Sequence, residues 1–577
     1  METAPEKLTP FEQNKLKSRH LRGTISETLQ SGASHFTNDE TALLKFHGTY
    51  QQDDRDKRQG LLKDNKEPAY SMMVRTKIPG GALTAEQYLA HDELSDKYGN
   101  KTLRITTRQG FQFHGVLKKN MKAVIRGVNE KLVTTSGACG DIVRNVMAFP
   151  APIAEPWQAE VQQYAKQLSD QFLSRSGAYH EIWLNGEKVR LPQDTVSTSE
   201  PEPIFGPAYL PRKFKIAISG PYDNAIDVYS DDIGIIPEVQ GERLSGFNIL
   251  VGGGFGTTHG IKTTYPRLAS PFCFVKPEDL AEITKAIVLV QRDYGNRADR
   301  KNARLKYLLD ARGLEWFRSE VEKRYGKKTE PVHAVQIKTQ NLYLGWQPQA
   351  DGRWFLGLSV ENGRIKDEGA FRLKTALREA CRKYHPRIYL TPSQDILLGG
   401  FEERQKKEVE DIFRKQGVRL PAELSELRKH SMACPALPTC GLAITESERV
   451  MPSVLDQLEK ILQELGLEKE PLIVRMTGCP NGCARPYNAE IAFVGKTVGN
   501  YNVYVGGSRR GDRLVYLLTE KVKEADLASA LRPLLDAYKK DRQSGEAFGD
   551  FCQRLGAEKT RKIVNAVITE KETWATK

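Results

Sequence analysis

The sequence has few cysteines and no long apolar segment, and both shortages limit the classes of protein to consider. Only 8 of the 577 residues are cysteine, too few for the disulfide framework of a small secreted domain. No stretch approaches the roughly 20 apolar residues that a membrane span needs. The polar start METAPEKLTPFEQNKLK lacks the apolar core of a secretory signal. We therefore expect no membrane association and a reducing, cytoplasmic location.

The chain also lacks the sequence signals of two common ligands, nucleic acids and dinucleotides. Its formal net charge of +13 would suit a polyanion, but its Lys and Arg residues are scattered among acids, without a basic block or interleaved aromatics. The glycines at 252–254 do not form the GxGxxG pattern that binds dinucleotides between a strand and a helix. We expect no nucleic acid here, since an anionic small molecule or an acidic protein explains the charge equally well.

An internal repeat divides the chain into two related halves. Residues 104–116 align with 389–401, and this alignment matches Thr106 with Thr391, Gln109 with Gln394 and Gly115 with Gly400. A weaker match pairs NILVGGG at 248–254 with NVYVGGS at 502–508. Strand-like and helical segments alternate in each copy, so the repeat predicts duplicated halves of mixed α and β structure. A crevice between two such halves is a natural site.

Four of the cysteines form two pairs in the second half. Cys434 and Cys440 lie in CPALPTC, and Cys479 and Cys483 lie in CPNGC. Four thiolates are what a cubane iron-sulfur cluster needs, and both spacings exceed the CxxC pairs that are usual for structural zinc. Zinc and disulfides remain as alternatives at this point. The isolated cysteines are typical of buried thiols, and they are Cys139, Cys273, Cys381 and Cys552.

Basic residues interrupt short apolar segments that are typical of strands. Segments 71–81 and 103–116 are each predicted as one strand, with a helix near 84–97 between them. Alternation would place Arg75 and Lys77 on the same face of the first strand. A solvated face is the ordinary interpretation of such charges.

The second cysteine pair lies between two predicted strands, PLIVRM and AEIAFVG. Pro480 and Gly482 would bend this loop tightly and bring backbone N–H groups towards sulfur. A helix over about 445–466 is predicted from a capping-box pattern, with Thr445 as N-cap and Glu448 three residues on. Arg485, just after the loop, fits a surface charge as well as an anion-binding residue.

These motifs together resemble the sirohaem-containing sulfite and nitrite reductases. CPALPTC, GCPNGCARPY, TTRQGFQFHG, FHGTYQQDDRD, GACGD followed by RNV, LPRKFK and FNILVGGG occur in that family's order over nearly the whole chain. The resemblance implies an α+β fold of duplicated halves in three lobes, with one sirohaem and one 4Fe–4S cluster at their junction. It implies six-electron reduction of sulfite to sulfide in sulfate assimilation and cysteine biosynthesis. CPALPTC favours sulfite, and a nitrite reductase is the alternative.

The resemblance also implies a division of the chain into five segments. These are an N-terminal arm (1–66), two ferredoxin-like half-modules (67–137 and 338–407), a sirohaem-binding αβ domain (138–337) and a cluster-carrying αβ domain (408–577).

Individual residues gain roles from the same resemblance. The cluster would be held by Cys434, Cys440, Cys479 and Cys483, and the thiolate of Cys483 would also bridge to the sirohaem iron. The cofactor would be bound by Arg104, Thr106, Arg108, Gln112, His114 and Gln394. The substrate anion would be surrounded by Arg75, Arg144, Lys213 and Lys215. Lysine would be the immediate proton donor, because desolvation lowers its pKa while arginine stays protonated. Cys139 is expected to be a structural thiol, although it could lie near the haem.

The source of electrons has to be another protein, because the chain carries no flavin or nicotinamide motif. An NADPH-oxidising flavoprotein is the first expectation and a ferredoxin is the alternative. A nucleic-acid-binding protein with a structural cluster is the competing class, and an absorption spectrum would distinguish the two.

Overall fold

The computed structural model describes residues 8–175, 182–184, 187–189, 202–335 and 337–575, with 182–184, 187–189 and 566–575 as backbone only. The helices of this described part are α1 (Pro10–Lys17), α2 (Ile25–Gln30), α3 (Asn38–Leu44), α4 (Arg55–Lys63), α5 (Ala85–Tyr98), α6 (Met121–Asn129), α7 (Trp157–Gln171), α8 (Leu280–Tyr294), α9 (Leu305–Arg312), α10 (Leu314–Tyr325), α11 (Leu373–Tyr384), α12 (Lys406–Lys415), α13 (Glu426–Lys429), α14 (Met451–Glu464), α15 (Leu527–Asp541) and α16 (Phe548–Ala575). None of these helices combines the length and apolar character that crossing a bilayer requires.

The strands of the described ranges are β1 (Thr49–Asp53), β2 (Tyr70–Arg75), β3 (Ala82–Leu83), β4 (Leu103–Ile105), β5 (Phe111–Val116), β6 (Met147–Ala148), β7 (Ile182–Leu184), β8 (Glu187–Val189), β9 (Ile216–Ile218), β10 (Ile233–Gln240), β11 (Arg243–Val251), β12 (Ser270–Val275), β13 (Gly345–Pro348), β14 (Trp354–Leu358), β15 (Arg364–Ile365), β16 (Asp367–Glu368), β17 (Phe371–Arg372), β18 (Arg387–Leu390), β19 (Ile396–Phe401), β20 (Ser431–Ala433), β21 (Val474–Thr477), β22 (Ile491–Thr497), β23 (Asn500–Val505) and β24 (Tyr516–Lys523). Four sheets of five strands contain most of them.

Two antiparallel sheets repeat one topology and exchange a strand with each other. Their orders are β1-β2-β5-β4-β15 and β13-β14-β19-β18-β3. The last strand of each sheet comes from the other half of the chain, because β15 pairs with β4 and β3 pairs with β18. A Cβ on Gly81 would lie 2.5 Å from the carbonyl of Leu390, and one on Gly363 would lie 2.5 Å from that of Ile105. Both glycines have positive φ, so this reciprocal close approach requires glycine at both positions.

Two mixed sheets repeat a second topology. The order β6-β9-β10-β11-β12 corresponds to β20-β21-β22-β23-β24, and in each sheet the first three strands are parallel and the last two are antiparallel additions. The weaker sequence match falls at the ends of β11 and β23. The predicted α+β fold of duplicated halves is therefore confirmed.

The hydrophobic core has two main parts. One buries residues of both antiparallel sheets and of the first mixed sheet, including Phe111, Leu398 and Phe247. The other lies in the second mixed sheet, where Phe493 of β22 packs with residues of α14 and α15 such as Leu455 and Leu534. The helix predicted near 84–97 is confirmed by α5.

The single strand predicted over 103–116 was wrong. It is a hairpin of β4 and β5, closed by a turn in which the N–H of Thr106 donates to the carbonyl of Gly110 at 2.8 Å. Gln109 takes the left-handed conformation in this turn, and Gln394 does so in the repeat. Neither turn contains the Asn-Gly or Asp-Gly pair that normally marks a hairpin.

Two other local predictions were also wrong. Arg75 and Lys77 do not share a strand face, because β2 ends at Arg75 and the N–H of Lys77 donates to the carbonyl of Thr134. The capping box at Thr445 and Glu448 is absent, since α14 begins at Met451 and the Thr445 hydroxyl accepts instead from the N–H of Gly499 at 3.0 Å. Glu448 is used in an ion pair between the halves, which a local pattern cannot reveal.

Candidate functional site

The four paired cysteines come together at one edge of the second mixed sheet. Cys434 follows β20 and Cys479 follows β21, and these strands are parallel neighbours, so their carboxyl ends meet. Cys434 and Cys479 are buried, Cys440 is half-buried and Cys483 is exposed. Burial, together with the neighbouring Cys483, raises the pKa of Cys479 to about 12. Burial and the other three cysteines raise that of Cys434 as well. Thiolates in such a place need a positively charged metal centre to compensate them.

Nearby N–H groups point at the sulfurs. The backbone N–H of Gly478 donates to Cys434 Sγ at 3.4 Å, and Asn481 Nδ2 donates to Cys479 Sγ at 3.6 Å. Backbone N–H groups of Leu442 and Ala443 donate to Cys440 and oppose the rise in its pKa that burial causes. Such bonds favour the thiolate and help to set a cluster's potential.

The geometry fits an iron-sulfur cluster better than the alternatives. Among the described residues, no three His, Cys, Asp or Glu side chains are placed to hold one metal ion. A tetrahedral zinc would need its sulfurs about 2.3 Å from the metal. All eight cysteines are free thiols, so the disulfide alternative is not seen. Electrostatic interactions link Cys483 with Cys434, Cys440 and Cys479, so the four thiols lie near one another, and four cysteines are the ligands that a four-iron cluster takes.

Cationic side chains lie near the exposed thiol of Cys483, and two of them interact with it electrostatically. Within the described ranges, no carboxylate forms an ion pair with the four predicted anion-site residues, Arg75, Arg144, Lys213 and Lys215. Arg75 and Lys213 both lie close enough to Cys483 to interact electrostatically with its thiol. Arg144 donates to backbone carbonyls, with Nε 2.7 Å from Gly140 O.

Burial changes the acidity of both lysines in this cluster. It lowers the pKa of Lys215 to about 8, and it lowers that of Lys213 well below the usual range with help from Arg212 and Lys215. Unpaired cations away from bulk water are costly. A bound anion would remove that cost, so the cluster is suited to an anionic ligand.

Arg104 and Gln394 lie beside the first cysteine pair. Arg104 is only 1% exposed, forms an ion pair with Glu448 and donates from Nη2 to the carbonyl of Ala433 at 2.8 Å. With its amide oriented to satisfy its neighbours, Gln394 accepts from Arg104 at 3.0 Å. Arg364 joins the same carboxylate, with Nε 2.7 Å from Glu448 Oε1. Glu448 thus ties β4 of the first half to β15 of the second.

The other predicted cofactor residues lie on or next to the hairpin of β4 and β5. Arg108 pairs with Asp231 at 2.6 Å, and Thr106 Oγ1 accepts from the N–H of Gly110 at 3.2 Å. When the side-chain amide of Gln112 is oriented so that its oxygen faces the neighbouring donors, this oxygen accepts from Arg75 Nη2 at 2.5 Å.

His114 is the least satisfied of these side chains. Both of its ring nitrogens are buried without a hydrogen-bond partner, and so is Nε of Arg108. Burial and the cations of Arg364 and Arg104 hold the pKa of His114 well below its usual range. A neutral, buried imidazole with no protein partner needs a polar ligand.

Sequence reasoning missed several residues that support the site. Arg75 Nη1 lies 3.1 Å from Cys139 Sγ, which places that buried thiol next to the cations. Arg55 Nη1 donates to the carbonyl of Ala443 at 2.5 Å, so the N-terminal segment contacts the loop after the first cysteine pair. Asp231 carries no motif of its own and Glu448 fits only a helix cap, so their arginine partners are visible only in three dimensions.

Replacing Glu448 with Gln is expected to destabilise the junction of the halves. Burial alone would raise its pKa, but Arg104 and Arg364 hold it at about 2. Because this pKa is depressed, the stabilisation is present above the unfolded value near 4.5 and is lost as the pH falls from there towards 2. Leaving two cations unpaired should cost about 3 kcal/mol at neutral pH. Urea denaturation between pH 3 and 7 measures this loss.

Glu446→Gln is the matched control, because Glu446 pairs with the exposed Arg449. A surface pair of this kind is worth about 1 kcal/mol or less. The role given to Glu448 would be contradicted if the two variants had equal free energies of unfolding at pH 7. It would also be contradicted if the difference between these free energies did not become smaller at low pH.

Comparison with protein families identifies both kinds of module. The model described as the nitrite/sulfite reductase ferredoxin-like half domain matches residues 64–131 and 347–416. The model described as the nitrite and sulphite reductase 4Fe-4S domain matches residues 163–329 and 427–572. Each half of the chain therefore contains one copy of each.

Several curated relatives are similar over nearly their whole length. The sulfite reductase (NADPH) hemoprotein beta-component of Geobacillus thermodenitrificans is 47% identical, covering 94% of this chain and 95% of the relative. The sulfite reductase (ferredoxin) of Synechococcus elongatus is 45% identical, covering 97% and 91%. The solved structure of the NirA protein of Mycobacterium tuberculosis has the same fold, with a TM-score of 0.77, 24% identity, and 96% and 98% of the two chains covered. The chain belongs to the nitrite and sulphite reductase family.

Proposed function

We propose that this protein reduces sulfite to sulfide with six electrons, using a sirohaem and a 4Fe–4S cluster that Cys483 would serve together. The observation that carries the proposal is a group of four cations without an ion-pair partner among the described residues, two of which interact electrostatically with Cys483 of the four-cysteine set. These cations are Arg75, Arg144, Lys213 and Lys215. Relatives of 45–47% identity that carry sulfite reductase names support the substrate. Sulfide production of this kind would serve sulfate assimilation and cysteine biosynthesis.

The residues present suit both cofactors. Cys434, Cys440, Cys479 and Cys483 would hold the cluster. A macrocycle with several carboxylates would neutralise the cations and give polar partners to the unsatisfied atoms of His114 and Arg108. The full set proposed to hold it is Arg104, Thr106, Arg108, Gln112, His114 and Gln394. Arg104 already has a partner in Glu448, so its proposed contribution is shared between the cofactor and the ion pair.

The cofactors, when bound, would supply electrons one at a time. Arg75 and Arg144 bind the substrate's oxygens and hold its charge, because a guanidinium stays protonated at every relevant pH. Lys213 and Lys215 give protons to the oxygens that leave as water, since burial lowers the pKa of each lysine towards the working range. Positive charge fixed around the anion also stabilises the negative charge that arrives with the electrons.

The electron donor is proposed to be a separate NADPH-oxidising flavoprotein, with a ferredoxin as the alternative. Several of the similar relatives are named NADPH hemoprotein components and one is named for ferredoxin. Reconstitution with each donor in turn would decide between them.

The eight free thiols support a reducing, cytoplasmic location.

The purified protein is expected to show sirohaem absorption, with iron and acid-labile sulfide in a ratio of about five to four. A haem-free product from cells with an adequate sirohaem supply would contradict the proposal.

With a reduced viologen as donor, kcat/KM should be higher for sulfite than for nitrite. A clear preference for nitrite would favour the nitrite reductase alternative.

A further inference from the structure

Arg485 is a buried cation that the proposed chemistry does not use. It lies two residues after Cys483, has a left-handed backbone with φ of 51°, and is 5% exposed. Its N–H closes a turn by donating to the carbonyl of Gly482 at 3.0 Å. The interpretation of this residue as a surface charge is therefore wrong.

The guanidinium of Arg485 contacts three separate parts of the chain. Nε donates to Asp227 Oδ2 at 2.5 Å, Nη1 to the carbonyl of Thr107 at 3.0 Å, and Nη2 to the carbonyl of Pro392 at 2.9 Å. Thr107 and Pro392 occupy equivalent positions in the two copies of the repeat, one residue after the matched Thr106 and Thr391. One planar side chain thus joins the hairpin turns of both halves.

Asp227 anchors this arrangement in the first mixed domain. It is fully buried, and Arg475 Nη2 lies 2.9 Å from the same carboxylate oxygen that accepts from Arg485. Asn488 Nδ2 and Gln340 Nε2 donate to its other oxygen at 2.9 and 2.6 Å. Both carboxylate oxygens of Asp227 have partners, so this side chain cannot move without breaking several buried hydrogen bonds and ion pairs.

The same turn also holds the backbone of Cys483. Thr107 Oγ1 donates to the carbonyl of Cys483 at 2.9 Å, while the carbonyl of Thr107 accepts from Arg485. The segment from Gly482 to Arg485 is thus held at its cysteine and at its arginine by one turn of the first half. The exposed thiol between these contacts lies near Arg75 and Lys213.

We infer that Arg485 and Asp227 form a positioning network that fixes Cys483 between the other three thiols of the second half and the cations of the first half. This inference rests on the proposed function. The planar fork of Arg485 reaches three acceptors at once, which a lysine cannot do because its ammonium is a single point. Arg485→Lys keeps the charge beside Asp227 but should lose at least one carbonyl contact to the turns.

The test compares loaded wild-type protein with Arg485→Lys and Thr107→Val. Thr107→Val removes only the hydroxyl that holds the Cys483 carbonyl. We expect both variants to keep their iron, sulfide and haem but to show weaker magnetic coupling between haem iron and cluster by Mössbauer and EPR spectroscopy. Sulfite turnover with reduced viologen should fall about 10- to 100-fold in Arg485→Lys, as is typical when a residue that orients a metal ligand is changed. Thr107→Val should show a smaller decrease in both measurements.

Arg378→Lys is the matched control. Arg378 of α11 forms a similar ion pair across the two halves with Asp92 of α5, and none of its described contacts involves the cysteine loops. It should leave coupling and turnover unchanged. The inference would be overturned if Arg485→Lys showed the same magnetic coupling as the wild type. If Arg485→Lys fails to load its cofactors, wild-type coupling in Thr107→Val would overturn it instead. Failure of the proposed function would instead appear in the wild-type protein, as missing haem absorption or absent sulfite turnover.

Discussion

Cys483→Ala is expected to lower sulfite turnover at least about 10³-fold, beyond the usual effect of removing one transition-state donor. The other three cysteines of the set are buried or half-buried, and Cys483 alone among them is exposed beside Arg75 and Lys213. Its loss would leave three thiolates for the proposed four-iron cluster and remove the sulfur nearest the proposed substrate site. Reduced-viologen assays, together with iron and acid-labile sulfide analysis, measure both effects.

Cys552→Ala is the matched control for this substitution. Cys552 is a fully buried thiol in α16 of the same domain, and burial raises its pKa well above the usual range. It packs in the hydrophobic core and is not one of the paired cysteines. The control should retain its cofactors and its turnover. A Cys483→Ala protein with iron content and turnover close to the control would remove Cys483 from its proposed position between the two centres.

Lys213→Met is expected to lower kcat/KM for sulfite by about 10²- to 10³-fold while the haem absorption stays largely intact. Lys213 is half-buried, has no carboxylate partner among the described residues, and lies beside Cys483, Arg212 and Lys215. In the proposed mechanism its loss would remove both a cation that binds the anion and a proton donor. Steady-state kinetics with sulfite and a reduced viologen measure the decrease.

Lys213→Arg separates these two contributions. Arginine keeps the positive charge but does not release its proton. We therefore expect KM to change little and kcat to fall. The exposed Lys276 of the same domain provides the control substitution Lys276→Met. Unchanged kinetics in both Lys213→Met and Lys215→Met would remove these lysines from the proposed anion site.

The cysteine pairs and the repeat could be predicted from the sequence because their signals are local. The four cysteines lie in two short motifs, and each motif directly follows a strand. Gln109 and Gln394 align in the repeat, and both take the left-handed conformation in equivalent hairpin turns. Local sequence is enough in these cases, because a turn or a ligand loop is made of consecutive residues.

Two of the interpretations that failed concern charged residues whose partners are distant in the chain. The pattern at Thr445 and Glu448 matches a helix cap, but Glu448 instead pairs with Arg104, 344 residues away. Arg485 lies just after the second cysteine loop, where a surface charge was one interpretation. Its partner Asp227 lies 258 residues away, and both side chains are buried. Burying a charge is favourable only with a partner, and no spacing or periodicity in the sequence identifies that partner.

By itself, the sequence determined the duplication, the four-thiol set and the family resemblance that the comparisons confirmed, because each depends on short motifs in a fixed order. Only the tertiary structure decided which cations lack an ion-pair partner in the described part of the chain, and which are neutralised by Asp227, Asp231 and Glu448. The physical reason is that the electrostatic environment of a side chain depends on the charges within a few ångströms of it. In this protein those charges come from both halves of the chain.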